Sequence, residues 1–305
     1  MSVSQKYISL SKNHIVSLVQ LLGFLFPDKL FLKILFFLKT GQKLHLDHPV
    51  TFGEKLQWLK LYNRQSRYTM MVDKYAVKDY VASVVGKEYV IPTIGIWQRP
   101  EEIDFDTLPD QFVLKTTHGG GNTGVIICKD KSVLDKRTAV RKLGLSLKHN
   151  IYKSYREWPY RDVPRRVIAE KYIEGNHSVG DRLLDYKFFC FHGEPKYCQV
   201  IQERYPRKVI DFFDMEWKHM DFIGLTPFAV HAVTCPSMPI HFAEMRDIAR
   251  KLSSSSGLPF SRIDLYETSE RPYFGEITFF PTSGFGMFTP SLYNEVFGRL
   301  IHLPQ

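Results

Sequence analysis

The sequence predicts an α+β protein: a helical N-terminal stretch followed by hairpins of mainly antiparallel strands separated by single helices. Three observations predict it. Residues 1–70 carry helical patterning, including a Thr51-x-x-Glu54 capping box. Strand-like runs come in pairs around glycine-rich or polar turns, as in 111–128 and 262–278. Amphipathic stretches near 132–150 and 241–253 separate those pairs.

Two very apolar runs, Leu18–Phe26 and Leu30–Leu38, flank Pro27-Asp28-Lys29. Each is far shorter than the roughly 20 residues that span a bilayer. Two helices packed on the body are expected, while Lys29, Lys33, Lys39 and Lys43 leave open a peripheral contact with a membrane surface. Met1–Ser11 is polar and lacks an apolar core followed by a small-residue cleavage site, so no signal peptide is expected. Residues 73–86 read as one helix stopped by Gly86.

Strand-rich segments follow at 90–130 and 166–215. In the first, Lys115 closes a strand before His118-Gly119-Gly120-Gly121-Asn122-Thr123-Gly124, whose backbone N–H groups suit nucleotide phosphates. It is neither a P-loop nor a dinucleotide fingerprint, because Val125–Cys128 continues as a strand. A glycine hairpin on its own is more often a simple turn. An aromatic, basic loop at 151–165 leads into Arg166–Gly175, an apolar strand whose end can offer backbone groups to a purine edge. Asp185-Tyr-Lys187 opens another hairpin. His241–Ser253 reads as a helix and Ser254–Gly257 as a turn. In the last hairpin Arg262, Asp264 and Glu276 fall on one face by period-two alternation. Two carboxylates beside a guanidinium suit a divalent metal on polyphosphate oxygens, and on these residues alone a solvated surface hairpin serves as well.

The order of the parts carries more. Lys115 with its glycine loop, Glu170-Lys-Tyr-Ile-Glu-Gly175, Arg262-x-Asp264 and Glu276-x-x-x-x-Pro281-x-Ser-Gly284 resemble the ATP-grasp superfamily of carboxylate–amine ligases. Finer matches resemble the TupA-like ATP-grasp proteins of bacterial surface-polysaccharide gene clusters. They are Phe52-Gly-Glu54-Lys55-Leu-Gln-Trp58-Leu-Lys60, Asp73-Lys74-Tyr, Glu157-Trp158-Pro-Tyr160, Asp185-Tyr-Lys187-Phe-Phe and Tyr273-Phe-Gly-Glu276-Ile-Thr278-Phe. The resemblance implies an ATP-grasp fold over 71–305, with two α/β subdomains of mainly antiparallel sheet dividing near 166–175 and gripping ATP behind a helical segment 1–70.

It also implies roles. Lys74 and Lys115 hold the α- and β-phosphates, and the loop with His118, Gly119, Gly120, Gly121 and Gly124 closes over the triphosphate. Glu170 accepts from the adenine amine, and Lys171, Tyr172 and Ile173 contact the ring through their backbone. Lys187 and Arg262 steady the γ-phosphate and the acyl-phosphate transition state. Asp264 and Glu276 bind Mg²⁺. Two positions depart from the superfamily: Thr278 stands where Asn commonly completes the metal shell, and His177 where Glu commonly binds the ribose hydroxyls. A hydroxyl still reaches an ion, and an imidazole still makes one hydrogen bond. The implied reaction phosphorylates a carboxylate and passes the acyl group to an amine, giving an amide, ADP and phosphate. A hexuronic acid of a surface polysaccharide and an amino acid or other amine are the implied substrates. The helical N-terminal segment is unlike the α/β domain of many such ligases, so acceptor residues do not transfer. Trp158, Tyr160, Arg161 and the Thr282–Phe285 turn are the candidates here, against plain loop packing.

Composition is that of a soluble enzyme: 305 residues, 44% hydrophobic and 24% charged. The four cysteines (Cys128, Cys190, Cys198 and Cys235) form no Cys-x-x-Cys pair, and three lie in apolar strand-like runs. They read as core packing in a reducing compartment rather than as metal ligands, which with the resemblance implies a bacterial cytoplasm. A net charge of +9 calls for an anionic partner, met by ATP and an acidic sugar polymer. No nucleic-acid motif accompanies the basic clusters, so nucleic acid is not expected. Rival functions are a sugar kinase using the same ATP residues and a glycosyltransferase, whose Asp-x-Asp motif is matched only by Asp104-Phe-Asp106 in a loop before Pro109.

Overall fold

The computed structural model describes residues 14–120, 124–175, 183–203 and 208–304. Helical residues 14–21 (α1), then α2 (Asp28–Thr40), α3 (Phe52–Tyr62), α4 (Arg67–Val72) and α5 (Val77–Val85) precede the first strand. The stripe Phe31, Leu32, Leu35 and Phe36 of α2 is buried with Leu44, Leu46 and Phe285, so this helix packs on the body. Among the described residues no helix is long and apolar enough to cross a membrane. The predicted capping box opens α3: Glu54 N donates to Thr51 Oγ1 at 3.3 Å, and Thr51 N donates to Glu54 Oε2 at 2.9 Å.

The single helix expected over 73–86 is broken at its start. Asp73 closes α4, and its Oδ1 accepts from Tyr75 N at 2.9 Å and Ala76 N at 3.3 Å, capping the turn before α5. Lys74 therefore stands outside the helix, and its N–H donates to Thr117 O at 3.0 Å. The helix then ends at Gly86 as expected. The 151–165 loop likewise contains two short helical stretches, Ile151–Tyr155 capped by Asn150 and the 3₁₀ turn Trp158–Tyr160, and the helix expected over 241–253 continues to Ser256.

Eleven named strands form three antiparallel sheets among the described residues. The first comprises β1 (Thr93–Trp97), β2 (Phe112–Thr116), β3 (Val125–Cys128) and β4 (Val167–Lys171) in the order β1-β4-β2-β3. Leu143 and Ala139 of α6 (Lys136–Lys148) pack on its Phe112, Leu114 and Ala169, and α7 (Ile151–Tyr155) follows. The second runs β10-β9-β5-β6-β7, from β5 (Asp185–Phe191), β6 (Glu194–Glu203), β7 (Val209–Phe213), β9 (Phe260–Glu267) and β10 (Pro272–Thr278). Between β7 and β9 come β8 (Ile223–Gly224) and α8 (Phe242–Ser256), and after β10 come β11 (Phe288–Thr289), pairing with β8, and α9 (Tyr293–Arg299).

The central strand β5 is buried along its whole length. Phe188 faces α8, stacking on Phe242 at 5.8 Å. On the other face Phe189 meets Phe52, Phe260 and Phe297 from α3, β9 and α9. That second face divides along its length: aromatic core at the C-terminal end of β5, and charged Asp185 and Lys187 at its N-terminal end. Gly298 lets α9 press against the backbone of Val50, Thr51 and Phe52, where an added Cβ would overlap Val50 O. Gly298→Ala is expected to destabilise the fold by about 3 kcal/mol. Gly144→Ala, in α6 with open space around it, should stabilise by about 1 kcal/mol, and urea unfolding of both variants checks the contrast.

Candidate active site

The charged end of the five-stranded sheet is built around β9. Lys187 of β5 pairs in register with Asp264, and Asp264 pairs on its other side with Glu276 of β10. A β-bulge makes the second pairing possible. Phe274 opposes Leu265, but Gly275 is skipped so that Glu276 rather than Gly275 opposes Asp264. Without the bulge Glu276 would lie opposite Ile263 and its carboxylate would turn to the wrong face. Gly275 suits that position, since an added Cβ would sit 3.0 Å from both Asp264 O and the Tyr266 ring.

The side chains interlock. Lys187 Nζ lies 2.5 Å from Asp264 Oδ2 and 3.4 Å from Asp185 Oδ2. Arg262 Nε donates to Asp264 Oδ1 at 2.6 Å, and its Nη2 reaches Glu276 Oε1 at 3.2 Å and Thr278 Oγ1 at 3.0 Å. Thr278 Oγ1 donates to Glu276 Oε1 at 2.9 Å. Lys74 Nζ closes the group on Glu276 Oε2 at 3.0 Å. Three cations thus alternate with three carboxylates. The oxygen donors Asp264, Glu276 and Thr278 form a hard set of the kind Mg²⁺ takes.

The four-stranded sheet contributes a second group. Glu170 is buried, with Lys78 Nζ at 2.6 Å and Lys115 Nζ at 2.5 Å on its two oxygens. Lys78 also donates to Ile91 O and Thr93 Oγ1, both at 2.7 Å. The bond from Lys74 N to Thr117 O ties this group to the first, two residues beyond Lys115. Asp73 fixes the tie from behind, accepting from Arg166 Nη2 at 2.6 Å. Lys78, Arg166 and Asp185 carried no sequence-based role, although Lys78 follows Lys74 by four residues and Asp185 alternates with Lys187.

Other expected residues sit elsewhere. The His118 ring is buried, with Nε2 3.1 Å from His149 O, so it turns toward the end of α6 rather than toward the carboxylates. Burial is the main cause that lowers its pKa. Gly119 N donates to Thr116 O at 3.4 Å, Gly120 lies near Ile151, and Gly124 takes a left-handed φ of +79° above Ser146. Gly121 and His177 lie outside the described residues. Lys171 ends β4 and, with Tyr172, lines a groove beside Pro92 and Ile94; Ile173 follows, half-buried.

Tyr160 lines a narrow cleft with Lys74, Gly275 and Glu276. Burial and the neighbouring Glu157 and Glu276 raise its pKa well above the usual phenol range, so it stays a proton donor. Trp158 lies under the Arg161 guanidinium at 5.2 Å. The turn after β10 places two non-glycine residues, Thr282 and Ser283, at φ +52° and +54°. Such backbone costs about 1–3 kcal/mol per residue and needs support. It comes from α3: Lys60 Nζ donates to Ser283 O at 2.7 Å, and Gln57 Nε2 donates to Gly284 O at 2.9 Å. Ser283 Oγ in turn donates to Glu157 Oε1 at 2.5 Å. Burial pushes the Lys60 ammonium down to about 7, against the pull of Glu157. Lys60, Gln57 and Glu157 lay inside quoted motifs without a role, because only the fold brings them to this turn.

Burial works against ionised Glu276, yet Lys74, Arg262 and Lys187 outweigh it and hold its carboxyl well below the usual range. The folded protein therefore binds this proton less readily than the unfolded chain. The resulting stabilisation is full above the ordinary carboxylate pKa of about 4.3 and is lost as pH falls below it. Urea unfolding from neutral to acid pH should accordingly fall more steeply for wild type than for Glu276→Gln. Parallel curves would contradict the pairing.

No curated protein matches this sequence. Solved structures do resemble it. D-alanine–D-alanine ligase from Bacillus anthracis aligns at 18% identity over 68% of this chain and 57% of its own, with a TM-score of 0.39. D-cycloserine synthetase DcsG aligns at 16% identity over 76% and 69%, with a TM-score of 0.43. ATP-grasp ligase PsnB, solved with minimal precursor, Mg and ADP, aligns at 11% identity over 75% and 57%, with a TM-score of 0.39. The chain thus spans little more than half the length of the first of these ligases. A family model described as TupA-like ATPgrasp matches residues 54–302, nearly the whole described body beyond α2 and including every segment of the site. The chain belongs to the TupA-like ATP-grasp family.

Proposed function

We propose that this protein is an ATP- and Mg²⁺-dependent ligase that activates a carboxylate as an acyl phosphate and couples it to an amine. One observation carries the reading: Lys74, Lys187 and Arg262 interleave with Asp185, Asp264 and Glu276 at ion-pair distances from four separate segments. Without nucleotide these charges neutralise one another. A bound triphosphate would draw the cations to its oxygens and free the carboxylates for metal, so little charge need be uncovered on binding.

Asp264, Glu276 and the Thr278 hydroxyl would hold Mg²⁺, which when bound supplies charge neutralisation on the transferring phosphoryl group. Lys74 and Lys115 would take the α- and β-phosphates, with Glu170 and Lys78 keeping Lys115 aimed. The Lys171–Ile173 backbone would receive adenine between the two sheets. Lys187 and Arg262 would meet the charge that develops as the carboxylate attacks the γ-phosphate, so positioning and electrostatics would provide most of the rate. The acceptor would enter past Tyr160 and the strained Thr282–Gly284 turn. A uronic acid of a surface polysaccharide, joined to an amino acid or amine, fits the family and the net charge of +9. Exposed Leu21, Phe24, Leu25 and Phe37 near Lys29 and Lys33 support a peripheral contact with the cytoplasmic face of the membrane, where a lipid-linked glycan would lie.

The test is incubation with ATP, Mg²⁺ and a panel of uronic acids and amines. ADP, free phosphate and a product of amide mass are expected. A phosphorylated acceptor without amide would replace the ligase with a kinase.

A further inference from the structure

The far edge of the five-stranded sheet holds a second cluster that takes no part in the nucleotide site. Asp211, fully buried on the edge strand β7, has His219 Nε2 at 2.8 Å and His231 Nδ1 at 3.0 Å from its Oδ1. One donor atom each from Asp211, His219 and Cys235 all lie within 4.8 Å of one another. Cys128, Cys190 and Cys198 are buried as their apolar runs predict, whereas Cys235 is exposed beside this cluster.

The backbone assembles it deliberately. His219 bridges Phe213 at the end of β7, and Val230 bridges Val209 at its start, with Ile210 N donating to Val230 O at 3.0 Å. Trp217 stacks on Phe213 at 4.1 Å and donates from Nε1 to Pro236 O at 3.2 Å, pinning the chain just past Cys235. Ala232 N donates to both Asp211 oxygens at 3.3 and 3.4 Å, which fixes the carboxylate.

Carboxylate, imidazole and thiolate together suit a borderline-soft transition ion, not Mg²⁺. Tetrahedral Zn²⁺ with bonds of about 2.0–2.3 Å sets its donor atoms roughly 3.3–3.8 Å apart. Closing from 4.8 Å takes shifts of about 1 Å, within reach of the partly exposed His219 and the exposed Cys235. We propose that Asp211, His219 and Cys235 form a Zn²⁺ site that clamps the 214–235 excursion onto β7, with His231 bonded to the ligand carboxylate.

The test uses tag-free, chelator-stripped protein in excess Mg²⁺, titrated with Zn²⁺ against a chromophoric chelator. One Zn²⁺ per chain with sub-micromolar affinity is expected, weakened about 100-fold or more in Cys235→Ser and His219→Ala. Co²⁺ in place of Zn²⁺ should give a thiolate charge-transfer band that Cys235→Ser lacks. Zn²⁺ should raise the melting temperature of wild type and of neither variant, each compared with its own melt in chelator. Equal Zn²⁺ affinity in wild type and His219→Ala, or no thiolate band in wild type, would overturn the site. Either result leaves the ligase reading untouched, because Asp211, His219 and Cys235 take no part in the nucleotide site.

Discussion

Glu276→Gln is expected to lower ADP formation by about 10³-fold, in an acceptor mixture that supports wild-type turnover. The amide keeps the shape of the side chain and an oxygen for Arg262, but it removes one of the two carboxylates proposed to hold the metal. Loss of metal-based charge stabilisation is worth several kcal/mol, and each 1.36 kcal/mol is tenfold in rate. Lys74 also loses its partner at 3.0 Å, so it would bind phosphate at least as readily as before. The defect should therefore fall on kcat far more than on nucleotide affinity. Folding is expected to survive, since the Phe52, Phe189, Phe260 and Phe297 core lies at the other end of β5. Steady-state kinetics beside a melting curve reads both halves, and near-normal turnover would remove Glu276 from the mechanism.

Lys115→Ala should show the complementary pattern. Its ammonium has Glu170 as an ion-pair partner at 2.5 Å, while Lys78 shares the same carboxylate and remains in the variant. Removing Lys115 therefore leaves Glu170 paired and the sheet intact. What would be lost is the proposed charge-assisted contact to a phosphate, worth about 1.5–3 kcal/mol. That corresponds to roughly a 10- to 100-fold weaker Kd for an ATP analogue, with kcat/KM for ATP falling at least as far. Calorimetric binding of the analogue measures it, and unchanged affinity would contradict the phosphate role.

Local patterning carried the α+β class, the capping box on α3 and the hairpins. It did so because each depends on neighbours in the chain. The active-site face depended on more. Asp264 and Glu276 share a face only because Gly275 bulges out of the ladder, and the sole sequence signal of that shift is a glycine inside a strand. Lys187 reaches Asp264 through a pairing across 77 residues, which no local period encodes. Asp73 looked like the first residue of a helix, yet its carboxylate caps a turn that sets Lys74 apart from α5. Lys60 looked like an ordinary helix lysine, whereas burial beneath the Ser283 carbonyl makes it a prop for the strained turn. The Zn²⁺ proposal has the same origin: Asp211, His219, His231 and Cys235 have no motif spacing and meet only around an edge strand.

A crystal structure with Mg²⁺ and a non-hydrolysable ATP analogue tests the central claim most directly. Metal density is expected on Asp264 and Glu276, with phosphate oxygens on Lys74 and Lys115 and the base beside Lys171–Ile173. Nucleotide bound away from those four side chains, or metal on neither carboxylate, would contradict the account.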